Sequence, residues 1–432
     1  MSPAILLSLL LAAAAPAAPS AADYSREAQA LEAYLWRHVL EPRFPRCVDR
    51  ERGGFHATYS RDWTARPDTD RFVVYQARVV WTAAEVAMAY PAKRAEYLAY
   101  VRHGVRFLAD VMWDKTHGGF FTTVSLDGAP IEPAVKWAYG NAFAVYALAA
   151  AYRATGDAPA LDLARRGFEW MESHVRTGEG YLGGVQRSGE RLPFDPDSVS
   201  PAKDAMYAPS AWLSMNVHIH VLEAWAELLK AAPDARVRER TRAVLALVRD
   251  RFVADPGNLH LFLNESGQPI PGVVSFGHDF ETGFLLLEAE AAAGDHDPRT
   301  ARVAKRLVDH SLAWGWDAAT GQVAGRGYAV DPAFDKSLQW WEQFETFNVL
   351  ALMHELHGSG TPAYWDAFLK SWRFVRERLT DEEHRGVYLG FDEHGTLNTE
   401  KSGNWFASYH AARALMLTRE RLLRLAGAPA AP

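Results

Sequence analysis

The polar residues that could do chemistry in this chain sit inside otherwise apolar, helix-patterned stretches, at intervals of three and four. In SMNVHIHVLEAW, Asn216, His220 and Glu223 fall at i, i+4 and i+7, which is one helical face. In FGHDFETGFLLLEA, His278 and Glu281 are neighbours at i and i+3, and the Gly277 start puts His278 in the first turn, at a pocket mouth. A carboxylate beside an imidazole fixes its tautomer and raises its basicity, so Glu281 is expected to serve His278. KSLQWWEQFETFNVLALMHEL repeats the stripe with Trp341, Glu345 and Asn348, while Trp340 and Trp341 point in different directions, one to pack and one toward a ligand. KSGNWFASYHAARAL places Trp405 and His410 near the start of the last helix, with Arg413 one turn on. RFVVYQARVVW carries Arg78 in an apolar helix, where it must be paired or hold an oxygen-rich ligand. Any one of these groups alone is matched by an ordinary surface ion pair. Their concentration on buried faces is what points to a pocket, because an unpaired polar group there is costly.

Imidazoles titrate near pH 6.5 and can both take and return a proton at neutrality, so proton transfer is the chemistry this set suits. His218 lies about 200° from His220 on a helix, so the two do not chelate one ion. Cys47 is the only cysteine, which excludes a disulfide within the chain and a thiolate metal site. No metal and no cofactor is expected. Phosphate-loop, dinucleotide-loop, nucleophile-elbow and H-E-x-x-H patterns are missing from the sequence.

The elements that must position these residues form a repeat. Six segments, RGGFHATYSRD at Arg52, HGGFFTTVSLDG at His117, GYLGGVQRSGE at Gly180, HLFLNESGQP at His260, GQVAGRGYAVD at Gly321 and RGVYLGFDEHG at Arg385, read as small strand-turn units. Two helix-patterned stretches lie between successive units, for example Arg71–Tyr90 with Ala95–Val111 and Gly277–Ala293 with Arg299–Trp314. Trp405–Leu425 is expected to close against an N-terminal helix near Ser25–His38. Six helical hairpins bury their apolar faces together when the ring closes. The fold expected is therefore all-α, an (α/α)6 barrel with short β-hairpin segments between hairpins, its pocket lined by inner-helix ends and loops. An open helical solenoid is the alternative.

The chain has 432 residues, 49% of them hydrophobic, and a net charge of −7, which argues against a nucleic-acid or anionic-membrane partner. Its 15 Trp, 16 Tyr and 21 Phe include candidates for stacking on sugar C–H faces, although most will be core. Residues 1–22, with an apolar run from Ile5 to Ala15 and small residues at Ser20-Ala21-Ala22, read as a secretory signal, leaving 23–432 as one catalytic domain of a secreted or periplasmic protein.

The ordered set RxxxxQxRxxW (Arg71, Gln76, Arg78, Trp81), YGNAFAVYAL (Tyr139–Leu148), MNVHIHVLEAW, GHDFETGFLL, WWEQFE and WxxxYHxxRA (Trp405, Tyr409, His410, Arg413) resembles the N-acylglucosamine 2-epimerase family, in its cellobiose 2-epimerase branch. The resemblance implies an (α/α)6 barrel, often dimeric, in which His278 and His410 are the acid and base. It further implies that Arg78 holds the sugar's oxygens, that Asn216 and His220 form a polar pair on the inner helix, and that Glu281 supports His278. Trp341 and Glu345 fall in the matching W-W segment, Trp405 resembles a sugar platform, and Tyr139 carries over as a further contact. This chain has WFASYH where the family tends to have W-K-G/C-P-Y-H, a departure that bears on the substrate. The expected reaction is 2-epimerisation at the reducing end of a small sugar through a cis-enediolate. An aldose–ketose isomerase shares that intermediate. A glycoside hydrolase would use two of Glu223, Glu281 and Glu345 across a scissile bond, and a non-catalytic sugar-binding module is the remaining reading.

Overall fold

The structure, a computed structural model, describes residues 18–192, 212–335, 337–358 and 362–428, so most of the expected signal segment lies outside the described residues. Twelve helices are found among them: α1 (Ala21–Tyr34), α2 (Val73–Ala89), α3 (Arg94–Phe107), α4 (Ala138–Thr155), α5 (Ala158–Trp170), α6 (Met215–Ala231), α7 (Ala235–Leu247), α8 (Phe276–Ala293), α9 (Pro298–Trp314), α10 (Trp340–His357), α11 (Pro362–Arg378) and α12 (Tyr409–Leu425). Ser20 and Asp23 form a capping box that starts α1. Gly156 ends α4 with φ +74°, a left-handed conformation that a side chain resists. None of the helices described is long and apolar enough to cross a membrane.

The even-numbered helices form an inner ring. Each packs on the next, and α12 returns to α2, while α1, α3, α5, α7, α9 and α11 each cover an inner neighbour from outside. Composition explains the sorting. The α4 sequence AYGNAFAVYALAAAY is small and apolar all round and nearly every residue is buried, whereas α9 buries only one stripe. The expected ring and hairpin count hold. The last helix is shorter than expected, however, since it begins at Tyr409, and Trp405 lies in the preceding loop.

The strand-turn units do more than decorate the loops. The two or three residues before each of α2, α4, α6, α8 and α10 pair antiparallel with the unit of the following hairpin, as Asp70–Phe72 does with Thr123–Ser125 and Lys136–Trp137 with Gly184–Val185. Successive repeats are thereby tied together at the end of the barrel where the inner helices begin.

A second tie comes from the fourth residue of each of those inner helices. Gln76, Asn141 and Gln343 accept from the backbone N–H of Phe55, Phe120 and Val323 and donate back to the same residue's carbonyl. At the equivalent place Asp279 accepts from Leu259 N–H at 2.9 Å, and His218 accepts through Nε2 from Tyr181 N–H at 2.9 Å while its Nδ1–H donates to the Ser214 carbonyl. The sixth inner helix has Ala412 there, whose methyl makes no such bond. Each staple satisfies backbone groups that the barrel buries, and losing one costs roughly 1–3 kcal/mol. His218 is thus structural, and burial holds its imidazole neutral, with its pKa pushed down to about 4. His218→Gln, which keeps an acceptor in place, is expected to retain kcat within a few-fold. A denaturation midpoint measured beside a turnover assay checks this, and a catalytic collapse would contradict the staple role.

Candidate active site

Helical phase decides which polar residues reach the barrel axis. The second and sixth residues of an inner helix share a face, and the fourth, about 200° from the second, turns away to make the staple. Tyr139, Asn216, Trp341 and His410 are second residues of α4, α6, α10 and α12; Arg78, His220, Glu281 and Glu345 are sixth residues of α2, α6, α8 and α10. His278 is the third residue of α8. All of these except Glu345, together with Trp405, line one cavity of about 430 Å³ at the N-terminal ends of the inner helices. Six helix N-termini therefore face the cavity, and their dipoles favour negative charge inside it.

Three imidazoles are anchored the same way. His410 Nδ1 lies 2.8 Å from Glu345 Oε1, His220 Nδ1 lies 2.9 Å from Glu223 Oε2, and His278 Nδ1 lies 2.7 Å from Ser275 Oγ. In each, Nε2 has no partner among the described residues and is left for a ligand. His278 and His410 flank the Trp341 ring, at centroid distances of 4.7 and 5.5 Å, so one small molecule can touch both. Gly277 makes this closeness feasible: a Cβ there would stand 2.6 Å from Glu342 Cγ, so only glycine lets the start of α8 approach α10. Burial pushes the His278 pKa down to about 3, helped by His220 and Arg326, and drives that of His410 well below its usual value, helped by Arg78 and Arg413.

Beneath the histidines Arg413, fully buried, gathers three carboxylates. Its Nη2 donates to Glu281 Oε1 at 2.6 Å and Glu345 Oε1 at 2.7 Å, and its Nη1 donates to Glu223 and to the Tyr409 hydroxyl. Tyr409 Oη also donates to Glu223. Burial opposes the charge on Glu223, yet Arg413, His220 and Tyr409 together hold its pKa at about 2. For Glu281 and Glu345 burial wins and the pKa is raised. Glu281, Glu345 and His410 bring donor atoms within 4.8 Å of one another, the donor set of a divalent-ion site. The guanidinium already bridges the two carboxylates and supplies the cation that such a cluster needs.

Arg78 has a different setting. It donates to the Tyr139 hydroxyl at 2.8 Å and more weakly to the Trp405 carbonyl at 3.3 Å, and its guanidinium rests 4.5 Å from the Phe143 ring centroid. No carboxylate of the described residues forms an ion pair with it, so its charge is free to meet an anion in the cavity. Trp405 is 40% exposed at the cavity rim, with its ring 4.8 Å from that of Phe72 and 5.9 Å from that of Tyr139. Trp340 is buried, its ring 3.9 Å from Phe406, and Trp341 faces the ligand side, as the differing directions of the two required.

One expectation is corrected. Glu281 does not support His278; it lies 3.7 Å from His410 Nδ1 and bonds Arg413. Side chains on a helix lean toward its N-terminus, so His278 reaches back to Ser275 while Glu281 enters the axial cluster. Sequence reading placed Glu223 on the Asn216–His220 stripe and Tyr409 and Arg413 in the last motif without giving them a role in the site, and it passed over Ser275 and Glu342. The i, i+3 spacing of His220 and Glu223 was the signal for one of them, whereas Arg413 on the last helix resembles any surface arginine until the ring closes.

Glu342 lines the same cavity and accepts the Gln339 N–H at 2.8 Å as a helix cap, and burial pushes its pKa up to about 8. A raised carboxyl pKa means the folded state binds the extra proton between about pH 4.5 and 8. The stability tied to protonated Glu342 is therefore complete below pH 4.5 and is lost as pH rises through about 8. Glu342→Gln keeps the cap acceptor and removes this dependence, so its Tm relative to wild type is expected to climb between pH 5 and pH 8. A Tm difference that stays flat would show the carboxyl is ionised throughout.

The family model described as N-acylglucosamine 2-epimerase (GlcNAc 2-epimerase) matches residues 53–414. The chain is 28% identical over 402 residues to a cellobiose 2-epimerase of Bacteroides fragilis, spanning 89% of this chain and 96% of that protein. It is 25% identical over 354 residues to a D-mannose isomerase of Thermobifida fusca, spanning 76% and 79%. The solved structure of cellobiose 2-epimerase from Spirochaeta thermophila DSM 6192 superposes with a TM-score of 0.82 at 29% identity, covering 93% of this chain and 98% of that one. With the family's pattern matched across the barrel and the cavity built from that pattern's residues, the chain belongs to the N-acylglucosamine 2-epimerase family.

Proposed function

We propose that this protein is a sugar 2-epimerase, acting at the reducing-end C2 of a mono- or disaccharide through a cis-enediolate. The observation that carries the reading is the pair of imidazoles, His278 and His410, flanking Trp341 in one cavity with Nε2 free on each. In the open-chain sugar the C1 aldehyde acidifies the C2 hydrogen. One imidazole, entering neutral, takes that hydrogen as a proton, and its bonding electrons move into the C1–C2 bond and onto O1. The other imidazole, once it has taken a proton from solvent against the burial that favours its neutral form, returns that proton to the opposite face of C2, and the electrons return from O1. The two histidines leave with their protonation states exchanged, and solvent resets them.

The enediolate's charge falls where the barrel favours it. Arg78 offers a guanidinium without a carboxylate partner, and six helix N-termini surround the cavity. Glu345 at His410 Nδ1 fixes the tautomer and supports the charged ring, while Ser275 orients His278. Asn216, His220 and Tyr139 supply donors and acceptors to the hydroxyls, and Trp341 and Trp405 supply faces.

Returning the proton to C1 instead makes an aldose–ketose isomerase, the activity named for the Thermobifida fusca relative. The hydrolase alternative fits the geometry poorly. Glu223, Glu281 and Glu345 converge on one guanidinium beneath the cavity and do not flank a position where a glycosidic bond would lie. Incubating mannose, glucose, cellobiose, mannobiose and N-acetylglucosamine with the protein and separating the products tests the proposal. A C2 epimer of at least one sugar is expected; ketose alone would assign the isomerase, and release of monosaccharides from the disaccharides would defeat both.

A further inference from the structure

The histidines, Arg78 and the tryptophans account for most of the cavity wall, but not for the part built by the strand-turn unit between α9 and α10. There Gly325, Arg326, Asp335, Ser337 and Gln339 line the cavity together with Glu342, the third residue of α10. Glu342 follows Trp341, so its side chain turns about 100° away from that ring. Two glycines make room for it. A Cβ on Gly277 would stand 2.6 Å from Glu342 Cγ, and a Cβ on Gly325 would stand 3.5 Å from Glu342 Oε1 and 3.7 Å from Ser337 Oγ. The carboxyl oxygen and the serine hydroxyl thus border one small space that Gly325 leaves open.

The fold uses only one end of this carboxyl. Oε2 accepts the Gln339 N–H, whereas Oε1 has no partner among the described residues. The partnerless oxygens of Glu281 and Glu345 are sealed in the core, but Glu342 Oε1 keeps surface on the cavity, although the residue as a whole is only 5% exposed. Ser337 Oγ likewise has no partner among the described residues and keeps open surface. A buried polar atom that the chain does not satisfy needs water in the empty cavity and a ligand group in the filled one.

Burial, helped by Asp335 and opposed by the Gln339 N–H and Arg326, raises the Glu342 pKa to about 8. With Oε2 accepting the cap bond, the proton sits on Oε1 at neutrality and offers a donor to the cavity. A hydroxyl suits this pair, because it can accept from Glu342 and donate to Ser337 from one position.

We propose that Glu342 and Ser337 bind one hydroxyl of the sugar, on a carbon away from those held between the imidazoles, and so take part in choosing the substrate. This rests on the sugar reading above.

The test is calorimetric titration of the full chain with D-glucitol and D-mannitol, open-chain hexitols that lack the carbonyl and cannot react. At pH 7 Glu342→Met is expected to bind the hexitol that wild type prefers about 3- to 10-fold more weakly, the worth of one hydrogen bond. Ser337→Ala, which leaves the α10 cap intact, should also bind more weakly. Wild-type affinity is expected to fall about 3- to 10-fold between pH 7 and pH 9, as Glu342 loses its proton through about pH 8. Glu342→Gln cannot titrate, and its amide keeps both an acceptor for the cap and a donor for the cavity, so that fall should vanish. Arg326, Asp335 and His278, the charged and titratable groups around Glu342, are present in both proteins, so the difference reads Glu342 alone. Unchanged affinity in Glu342→Met and Ser337→Ala, the same pH dependence in wild type and Glu342→Gln, or no hexitol binding to wild type would overturn the proposal. Failure of the epimerase reading shows separately, as no exchange at C2 of any reducing sugar, because hexitol binding involves no turnover.

Discussion

Replacing His410 with alanine is expected to lower turnover by about 10²- to 10⁴-fold, the range a positioned proton-transfer group supplies, with little loss of fold. The side chain touches the cavity on one side and Glu345 on the other, and its removal leaves Arg413 still bridging Glu281 and Glu345. His278→Ala is expected to fall as far, for the same chemical reason from the other side of Trp341. The two variants should differ in a revealing way. If each imidazole serves one face of C2, each single variant keeps exchange of the C2 hydrogen for one epimer and loses it for the other. Equal residual exchange for both epimers in both variants would mean a single residue handles both faces. A variant with near-normal turnover would remove that histidine from the reaction.

The second large effect is structural. Arg413→Met preserves much of the side-chain volume but leaves Glu223, Glu281 and Glu345 buried without their cation, a loss of about 3–5 kcal/mol for an uncompensated buried charge. The pH dependence gives the mechanism away. In wild type Glu223 has its pKa held at about 2, so the stability it contributes is present above pH 4.5 and is lost as pH falls toward 2. Without the guanidinium, burial raises that pKa, and the folded variant takes up protons that the unfolded chain releases. The gap in unfolding free energy between wild type and Arg413→Met is therefore expected to widen as pH rises from about 4 to 8, read by urea denaturation at each pH. Adding Glu223→Gln should recover part of the loss, because neighbours in one network are not additive. A gap independent of pH would mean that Arg413 matters through packing alone.

How much of this was legible in the sequence depends on whether a residue's role is set by its own helix or by the closed ring. The repeat of strand-turn units and the three- and four-residue apolar spacing were enough for the barrel, since an inner helix such as α4 advertises its burial on every side. The helical stripe of Asn216 and His220 was legible for the same reason, and the same phase arithmetic separates His220 from His218. That His218 belongs to a set with Gln76, Asn141, Asp279 and Gln343 was not, because four kinds of side chain at five positions do one job and only the backbone they bind is shared. The error over Glu281 has a related origin: spacing says which residues can meet on one helix, but α8, α10 and α12 compete for Glu281 across the axis and Arg413 wins. For Arg413 the local sequence offers only its place one turn from His410, as its importance lies in partners 68, 132 and 190 residues away.

The decisive measurement is solvent labelling at C2. Wild-type protein is incubated in D2O with a sugar it converts, and both product and recovered starting sugar are examined by proton and carbon NMR. The two-imidazole pocket predicts deuterium at C2 of the epimer formed, followed by deuterium at C2 of the recovered starting sugar as the reaction reverses. Conversion of one epimer to the other with the original hydrogen kept at C2 through every turnover would contradict it.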